Sequence, residues 1–227
     1  MTIKCLTFDL DDTLWDVYPV IMKAEKRFYD WLVSNHPTIA EHFDIETLIK
    51  HRQNYFQQFE DKQHDFTWLR KAWLHHIAQE YQCPPQFEET GFDTFWKARN
   101  EVELYDGVLE MLKYVNQRYQ VVSITNGNAD INQVGLGEYF HLAITAAEVG
   151  AAKPDPIIFE KALSWGNFKP HEVIHIGDDP RRDVKGAADL GMKTIWVNTH
   201  HSSWPGGPRA DAEVNEISHL VDAIKSL

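Results

Sequence analysis

Residues 3–8 (Ile-Lys-Cys-Leu-Thr-Phe) form a short apolar run with β character, and no second convincing strand appears before Tyr119. One strand alone buries nothing, so this one must pair with strands far downstream. From 106 onward strand and helix alternate. A helix over 106–117 leads into a strand at 119–124, a further strand follows at 142–145, and a helix over 156–165 leads into a strand at 173–176. A helix over 181–190 then leads into a strand at 194–197. This alternation predicts parallel βαβ units under a doubly wound, Rossmann-like sheet. Between the first strand and the rest, apolar residues recur every three to four positions. Val17, Val20, Ile21, Ala24, Phe28, Trp31 and Leu32 follow Asp16; Ile45, Leu48, Ile49, Phe56 and Phe59 follow Asp44; Phe66, Leu69, Trp73 and Ile77 follow Asp65; a weaker stripe covers 86–98. That period is helical, and the three aspartates suit N-caps. The pattern therefore predicts an α/β core made of residues 1–14 and 105–227, with an all-helical insertion over 15–104. The tail after 199, with SSWPGGP, reads as a loop ending in a helix near 216–226.

Aromatic residues follow the same division, since eighteen of the 28 Phe, Trp and Tyr lie between 15 and 105. A small helical domain needs bulky side chains for its own core, although Trp15, Trp68, Arg70 and Arg99 are also candidates to line a substrate cleft. The formal net charge of −12 argues against a nucleic-acid partner, which requires a basic footprint. No apolar run approaches the roughly 18 residues of a membrane helix. The N-terminal MTIKCLTFDL has no room for a signal-peptide core, so the expected compartment is the cytoplasm. Cys5 and Cys83 show no zinc-ligand spacing. The composition is compatible with a monomer or a dimer.

In an open parallel sheet, ligands bind beyond the carboxyl ends of the strands. After the first strand comes Asp9-Leu10-Asp11-Asp12-Thr13. After the strand at 119–124 comes Thr125-Asn126-Gly127-Asn128. Gly177-Asp178-Asp179 and then Asp183 follow the strand at 173–176, and Lys153-Pro154-Asp155-Pro156 precedes a helix. Several carboxylates at one rim repel unless a cation neutralises them, and their hard oxygens suit Mg²⁺. A lysine, a threonine hydroxyl and free amides suit a phosphate dianion. A carboxylate beside that phosphate can act as nucleophile, and a second carboxyl two residues on can protonate the leaving alcohol. These residue types point to metal-assisted transfer of a phosphoryl group to water.

In this order, the same residues resemble the four motifs of the haloacid dehalogenase superfamily. Asp9-Leu10-Asp11-Asp12-Thr13 is similar to its DxDxT, Thr125 to the hydroxyl residue closing its second strand, and Lys153 to its lysine. Gly177-Asp178-Asp179-Pro180-Arg181-Arg182-Asp183 is similar to its GDxxxxD. The helical insertion resembles the family's helical cap. The resemblance implies that Asp9 is the nucleophile and Asp11 the general acid and base. It implies that Mg²⁺ is held by the Asp9 and Asp178 carboxylates and the Asp11 main-chain carbonyl. Thr125, the Asn126 amide and Lys153 would hold the phosphoryl oxygens, while Asp183 stands behind them, orienting Lys153 or a metal-bound water. Asp179 departs from the pattern, because a small hydroxyl is more usual there; of the two neighbours, Asp178 is favoured as the metal ligand. Within the superfamily, the length and the TNGN after the second strand resemble bacterial phosphatases of 5-amino-6-(5-phosphoribitylamino)uracil or flavin mononucleotide. That implies a small phosphorylated metabolite as substrate and a place in riboflavin metabolism.

Competing readings are a 2-haloacid dehalogenase, a phosphomutase and a non-catalytic binding module on the same scaffold. Asp11 argues against the dehalogenase, whose ester-forming step needs no acid for the leaving group. Asp183 is also a candidate N-cap for a helix beginning near 184. His171-Glu172-Val173-Ile174-His175 matches HExxH literally, but that zinc motif needs a helix. Here Val-Ile-His-Ile-Gly reads as a buried strand. The adjacent pairs His75-His76 and His200-His201 read as surface.

Overall fold

A computed structural model describes residues 2–227. Six parallel strands form one sheet: β1 (Cys5–Phe8), β2 (Gln120–Thr125), β3 (Leu142–Thr145), β4 (Val173–Gly177), β5 (Lys193–Val197) and β6 (Ala212–Val214). Their spatial order is β3-β2-β1-β4-β5-β6. The chain winds outward from β1 in both directions, so the strand order reverses between β1 and β4. Such a switch point opens a crevice at the carboxyl ends of the two strands. Register fixes what stands there: Phe8 pairs with Ile176, and the Asp9 amide donates to the Ile176 carbonyl at 2.9 Å. The residues after Phe8 and Gly177 thus emerge side by side. This is the doubly wound α/β fold that the strand–helix alternation predicts.

The strands are buried on both faces, as a parallel sheet between helices requires. Cys5, Leu6, Phe8, Val121, Val122, Ile124, Val173, Ile174 and Ile176 carry its core. The β6 strand escapes the sequence pattern because it is a three-residue edge with a single fully buried side chain, Val214. The helix anticipated over 181–190 is instead a π-type segment at Pro180–Lys185 followed by a short α turn at Gly186–Ala188.

The chain divides into two compact units. One comprises residues up to Asp16 together with Glu103–Leu227, and the other is Val17–Val102. The second unit consists of helices at Val17–Asn35, Ile45–Phe56, Phe66–Glu80 and Phe87–Arg99, with short helical turns between them. Asp44 and Asp65 cap the second and third of these, each accepting a backbone N–H at 2.8 Å, from Thr47 and Trp68. Phe28, Leu32, Leu69, Trp73, Leu74, Ile77, Phe87 and Phe95 fill its interior. Truncating one of the larger rings to Ala there costs about 3–5 kcal/mol. Gly91 lets two of these helices approach closely, because a Cβ would sit 3.2 Å from both Phe28 and Trp31.

Candidate active site

Beyond β1 the chain closes a tight turn, with the Leu14 amide donating to Leu10 O at 2.8 Å. Asp12 takes the left-handed conformation, φ 60°, which Asp tolerates better than most residues. The turn brings Thr13 back beneath the strand end. Its hydroxyl lies 3.3 Å from Asp9 Oδ2 and 3.4 Å from Asp178 Oδ1, so one proton is within reach of both carboxylates. Asp11 Oδ1 accepts from the Trp15 indole N–H at 3.0 Å. Trp15 is fully buried. It therefore anchors Asp11 and is not exposed for stacking on a substrate ring.

Lys153 Nζ spans two buried carboxylates, donating to Asp9 Oδ1 at 2.5 Å and lying 2.6 Å from Asp183 Oδ1. Its main chain is held by Asn126: the Lys153 amide donates to Asn126 Oδ1 at 2.7 Å, and Asn126 Nδ2 donates to Lys153 O at 3.0 Å. Sequence reasoning assigns Asn126 only a backbone amide; its side chain clips the lysine loop. Thr125 is buried at the end of β2, and its hydroxyl accepts from the Gly127 amide at 2.9 Å.

After β4, Asp178 and Asp179 part company. Asp178 is half-buried beside Asp9, and its carbonyl accepts from the Trp196 indole at 2.6 Å. Asp179 caps the next segment, its Oδ1 accepting from the Arg181 and Arg182 amides at 2.8 Å each. Asp179, rather than Asp183, is thus the N-cap. The wide turn lets Asp183 fold back under Gly177. A Cβ on Gly177 would meet Asp183 Cγ at 2.3 Å, which explains why the segment begins with glycine. Asp183 Oδ2 accepts from the Asp179 amide at 3.0 Å, and its Oδ1 faces His175 Nε2 at 3.0 Å. His175 and its partner Thr7 escape sequence reasoning as site residues, because a histidine inside an apolar strand gives no signal of its own.

Asp9, Asp178 and Asp183 bring carboxylate oxygens within 4.8 Å of one another. Against the one lysine, three ionised carboxylates leave two negative charges in a buried site. Burial pushes Asp9 up to about 7, with Lys153 opposing and Asp183 adding to the rise. Burial, then Asp9 and Asp183, push Asp178 up to about 9. Burial also works to raise Asp183, but Lys153 and His175 overcome it and hold that carboxyl well below its usual range. Burial disfavours the charge on Lys153, yet the two aspartates hold it above its ordinary value. A divalent cation with hard-oxygen preference matches this donor set and its charge.

A second group of three, His51, His76 and Glu80, lies within the helical unit. There the Trp73 indole donates to His51 Nδ1 at 3.1 Å, so the neutral ring carries its proton on Nε2 and has no lone pair for a metal. His76, anticipated as surface, is half-buried and stacks on Tyr55 at 4.9 Å. Arg70, a candidate for substrate contact, is buried in an ion pair with Glu25, while Trp68 is partly exposed beside Phe59. No helix among the described residues is long and apolar enough to cross a membrane.

Residues 3–191 match the haloacid dehalogenase-like hydrolase family. The chain is 29% identical to a 5-amino-6-(5-phospho-D-ribitylamino)uracil phosphatase of Escherichia coli (strain K12), over 98% of this chain and 96% of the relative. It is 28% identical to a glyceraldehyde 3-phosphate phosphatase of Pyrococcus furiosus, over 86% and 80%. Among solved structures, a 2-haloacid dehalogenase from Pseudomonas syringae pv. Tomato DC3000 superposes with a TM-score of 0.92, at 32% identity over 99% of both chains.

Proposed function

The chain belongs to the haloacid dehalogenase-like hydrolases, and from that premise we propose that it hydrolyses phosphomonoesters of small metabolites, using Mg²⁺ and an aspartyl-phosphate on Asp9. The observation that carries this reading is the buried cluster of Asp9, Asp178 and Asp183 around Lys153. Its excess negative charge suits a divalent cation, and the lysine suits a phosphoryl group. The Asp9 and Asp178 carboxylates and the Asp11 carbonyl would hold Mg²⁺, which would supply charge neutralisation for the incoming dianion.

In the first step a carboxylate oxygen of Asp9 forms a bond to phosphorus as the bond to the ester oxygen breaks. Asp11 gives its proton to the departing alkoxide. In the second step Asp11 takes a proton from water as the water oxygen bonds to phosphorus. The Asp9–phosphorus bond breaks, releasing inorganic phosphate and restoring both carboxyl groups. Lys153, the Thr125 hydroxyl and the Asn126 amide hold the phosphoryl oxygens, where preorganised donors act most strongly on developing charge. Asp183 keeps Lys153 ionised and aimed. The helical unit, Val17–Val102, serves as the cap that sets specificity. The full-length likeness to the Escherichia coli relative supports a flavin-pathway phosphate ester, 5-amino-6-(5-phosphoribitylamino)uracil or flavin mononucleotide, as the substrate. The cytoplasm is the working compartment under this reading.

The Pseudomonas structure favours a second reading, carbon–halogen hydrolysis by the same aspartate. That chemistry expels halide, which needs no proton, and its substrate is a carboxylate. A metal-free site in which three carboxyl groups face one lysine, and burial already disfavours their ionisation, is a poor host for a further carboxylate. Phosphate release from a panel of phosphomonoesters with Mg²⁺, absent in EDTA, supports the phosphatase. Chloride release from 2-chloropropionate in EDTA without any phosphate release overturns it.

A further inference from the structure

The histidine that ends the literal HExxH string has a different position from any zinc ligand. His171 lies in a 3-10 turn at Pro170–Glu172, whereas His175 is the third residue of β4. Its ring is buried in the sheet, edge-on to Phe159 at 5.0 Å. Thr7 is its register partner on β1, and Thr7 Oγ1 lies 2.8 Å from His175 Nδ1. On the other side, His175 Nε2 lies 3.0 Å from Asp183 Oδ1.

The two contacts select one tautomer. A neutral imidazole has one N–H and one lone pair. Asp183 is a carboxylate facing Lys153 at 2.6 Å, so it can only accept. The proton must therefore sit on Nε2, pointing at Asp183, which leaves Nδ1 to accept from the Thr7 hydroxyl; at 2.8 Å it is a nearer acceptor than that hydroxyl's alternative, Ile174 O at 3.4 Å. The reverse tautomer sets a ring lone pair against a carboxylate oxygen in a dry interior, an arrangement that costs free energy. Asp183 then receives the His175 ring N–H, the Asp179 amide and the Lys153 ammonium. The first two donors are fixed by backbone and sheet. They hold the carboxylate in one rotamer, which in turn directs the lysine toward Asp9.

We propose that His175, with its tautomer set by Thr7, is a positioning residue for phosphoryl transfer: through Asp183 it aims Lys153 at the phosphoryl group. The inference rests on the phosphatase reading, and it adds a residue chain, Thr7–His175–Asp183–Lys153–Asp9, reaching from the sheet interior to the nucleophile. His175 touches no reacting atom, so its removal slows turnover without abolishing it.

The test compares His175→Gln, His175→Asn, His175→Met and Thr7→Val on the full chain with p-nitrophenyl phosphate and saturating Mg²⁺. Gln extends an amide N–H to where Nε2 stood, Asn reaches only the Nδ1 position, and Met fills the space without a donor. Loss of an outer hydrogen-bonding partner costs about 10–100-fold in related sites. We expect kcat to fall by about that factor in His175→Met and His175→Asn, with KM moving far less, and His175→Gln to recover most of the loss. Thr7→Val should show a smaller fall. Ring ¹⁵N spectra of the wild type at pH 7.5 should show His175 protonated on Nε2. Undiminished kcat in His175→Met, equal losses in the Gln and Asn variants at equal melting temperature, or a proton on Nδ1 each overturn the proposal. If His175→Met does not fold, the Gln–Asn difference and the spectrum decide. A wild type that releases no phosphate from any monoester sinks the phosphatase reading instead, a result the ¹⁵N spectrum does not share.

Discussion

In the α/β unit two buried carboxylates, Asp9 and Asp183, pair with one lysine, and the half-buried Asp178 stands beside them. In the helical unit one buried carboxylate, Glu25, meets two guanidiniums, Arg70 and Arg52, the latter at 2.9 Å. Both arrangements are unbalanced, with opposite sign. The helical one disperses its surplus over aromatic faces: Arg70 lies on the Phe95 ring, 3.2 Å from the centroid, and Arg52 over Phe56 at 5.1 Å. Cation–π contact in a desolvated core is worth about 2 kcal/mol or more. The α/β arrangement has no such outlet: burial, with the neighbouring aspartates adding to it, raises two carboxyl groups far above their ordinary range. One imbalance is absorbed by packing, and the other is held ready for a cation and a phosphoryl group.

The sharpest way to break this contrast is to neutralise one carboxylate in each unit. Asp9→Asn should lower phosphatase kcat by at least about a thousandfold, as nucleophile removal does elsewhere. It should not lower the melting temperature in EDTA at pH 8, because it removes a carboxylate charge that burial and Asp183 already disfavour. Undiminished turnover in that variant would falsify the nucleophile assignment. Glu25→Gln should behave in the opposite way. It leaves two guanidiniums buried without a counter-charge, a loss of about 3–5 kcal/mol. At roughly 2–4 °C per kcal/mol for a chain of this size, the melting temperature falls by about 10 °C. Activity measured well below that temperature should stay within a few-fold of wild type.

The α/β unit is far more legible in sequence than the helical one, and the reason is topological. A parallel sheet with a switch point directs every strand end to one edge, so Asp9 and Asp178, just past the ends of β1 and β4, and Thr125, the last residue of β2, are identifiable from their places. Lys153 is marked by its setting before a helix. The side chains that work sideways or from within stay hidden: Thr13 between two carboxylates, Asn126 clipping the lysine loop, and His175 inside β4. Their partners are distant in sequence and carry no periodic signal. In the helical unit the stripes give the helices and their caps, Asp44 and Asp65, but not the pairing of Glu25 with Arg70, 45 positions apart. Helix packing has no switch point to bring such residues to a common edge.

Magnesium should sharpen the contrast further. Asp9 and Asp178 have folded-state values near 7 and near 9, above the unfolded carboxylate range of about 4. A carboxyl raised by folding binds its proton more tightly in the native state. Its contribution to metal-free stability is therefore present at low pH and is lost as pH rises through the window from about 4 to 9. Mg²⁺ requires the deprotonated forms, so its affinity grows over the same window. At a concentration 100 times its dissociation constant it adds about 2.7 kcal/mol. Thermal unfolding should show a larger Mg²⁺-induced rise in melting temperature at pH 8 than at pH 5.5, in the wild type and in Glu25→Gln alike. The rise should be nearly absent in Asp178→Asn. An equal shift at both pH values argues against these carboxylates as the binding site.

The smallest effect pits two tryptophans against each other. Each unit contains a buried indole whose N–H makes a hydrogen bond of nearly the same length: Trp15 to Asp11 Oδ1 at 3.0 Å, and Trp73 to His51 Nδ1 at 3.1 Å. Replacing either with Phe keeps most of the ring and deletes one donor, a loss of about 1 kcal/mol, or roughly 1.5–3 where the acceptor is charged. In the helical unit that loss ends in packing, so Trp73→Phe should lower the melting temperature by a few degrees and leave kcat within twofold. In the α/β unit the acceptor is the proposed acid and base, whose carboxyl must meet the leaving oxygen within hydrogen-bond reach. Trp15→Phe should therefore lower kcat by about 5- to 10-fold with little change in KM, since a change of about 1.4 kcal/mol in barrier is tenfold in rate. If both variants lose stability alone, Trp15 is a packing residue like its counterpart, and Asp11 is oriented by the turn around Asp12.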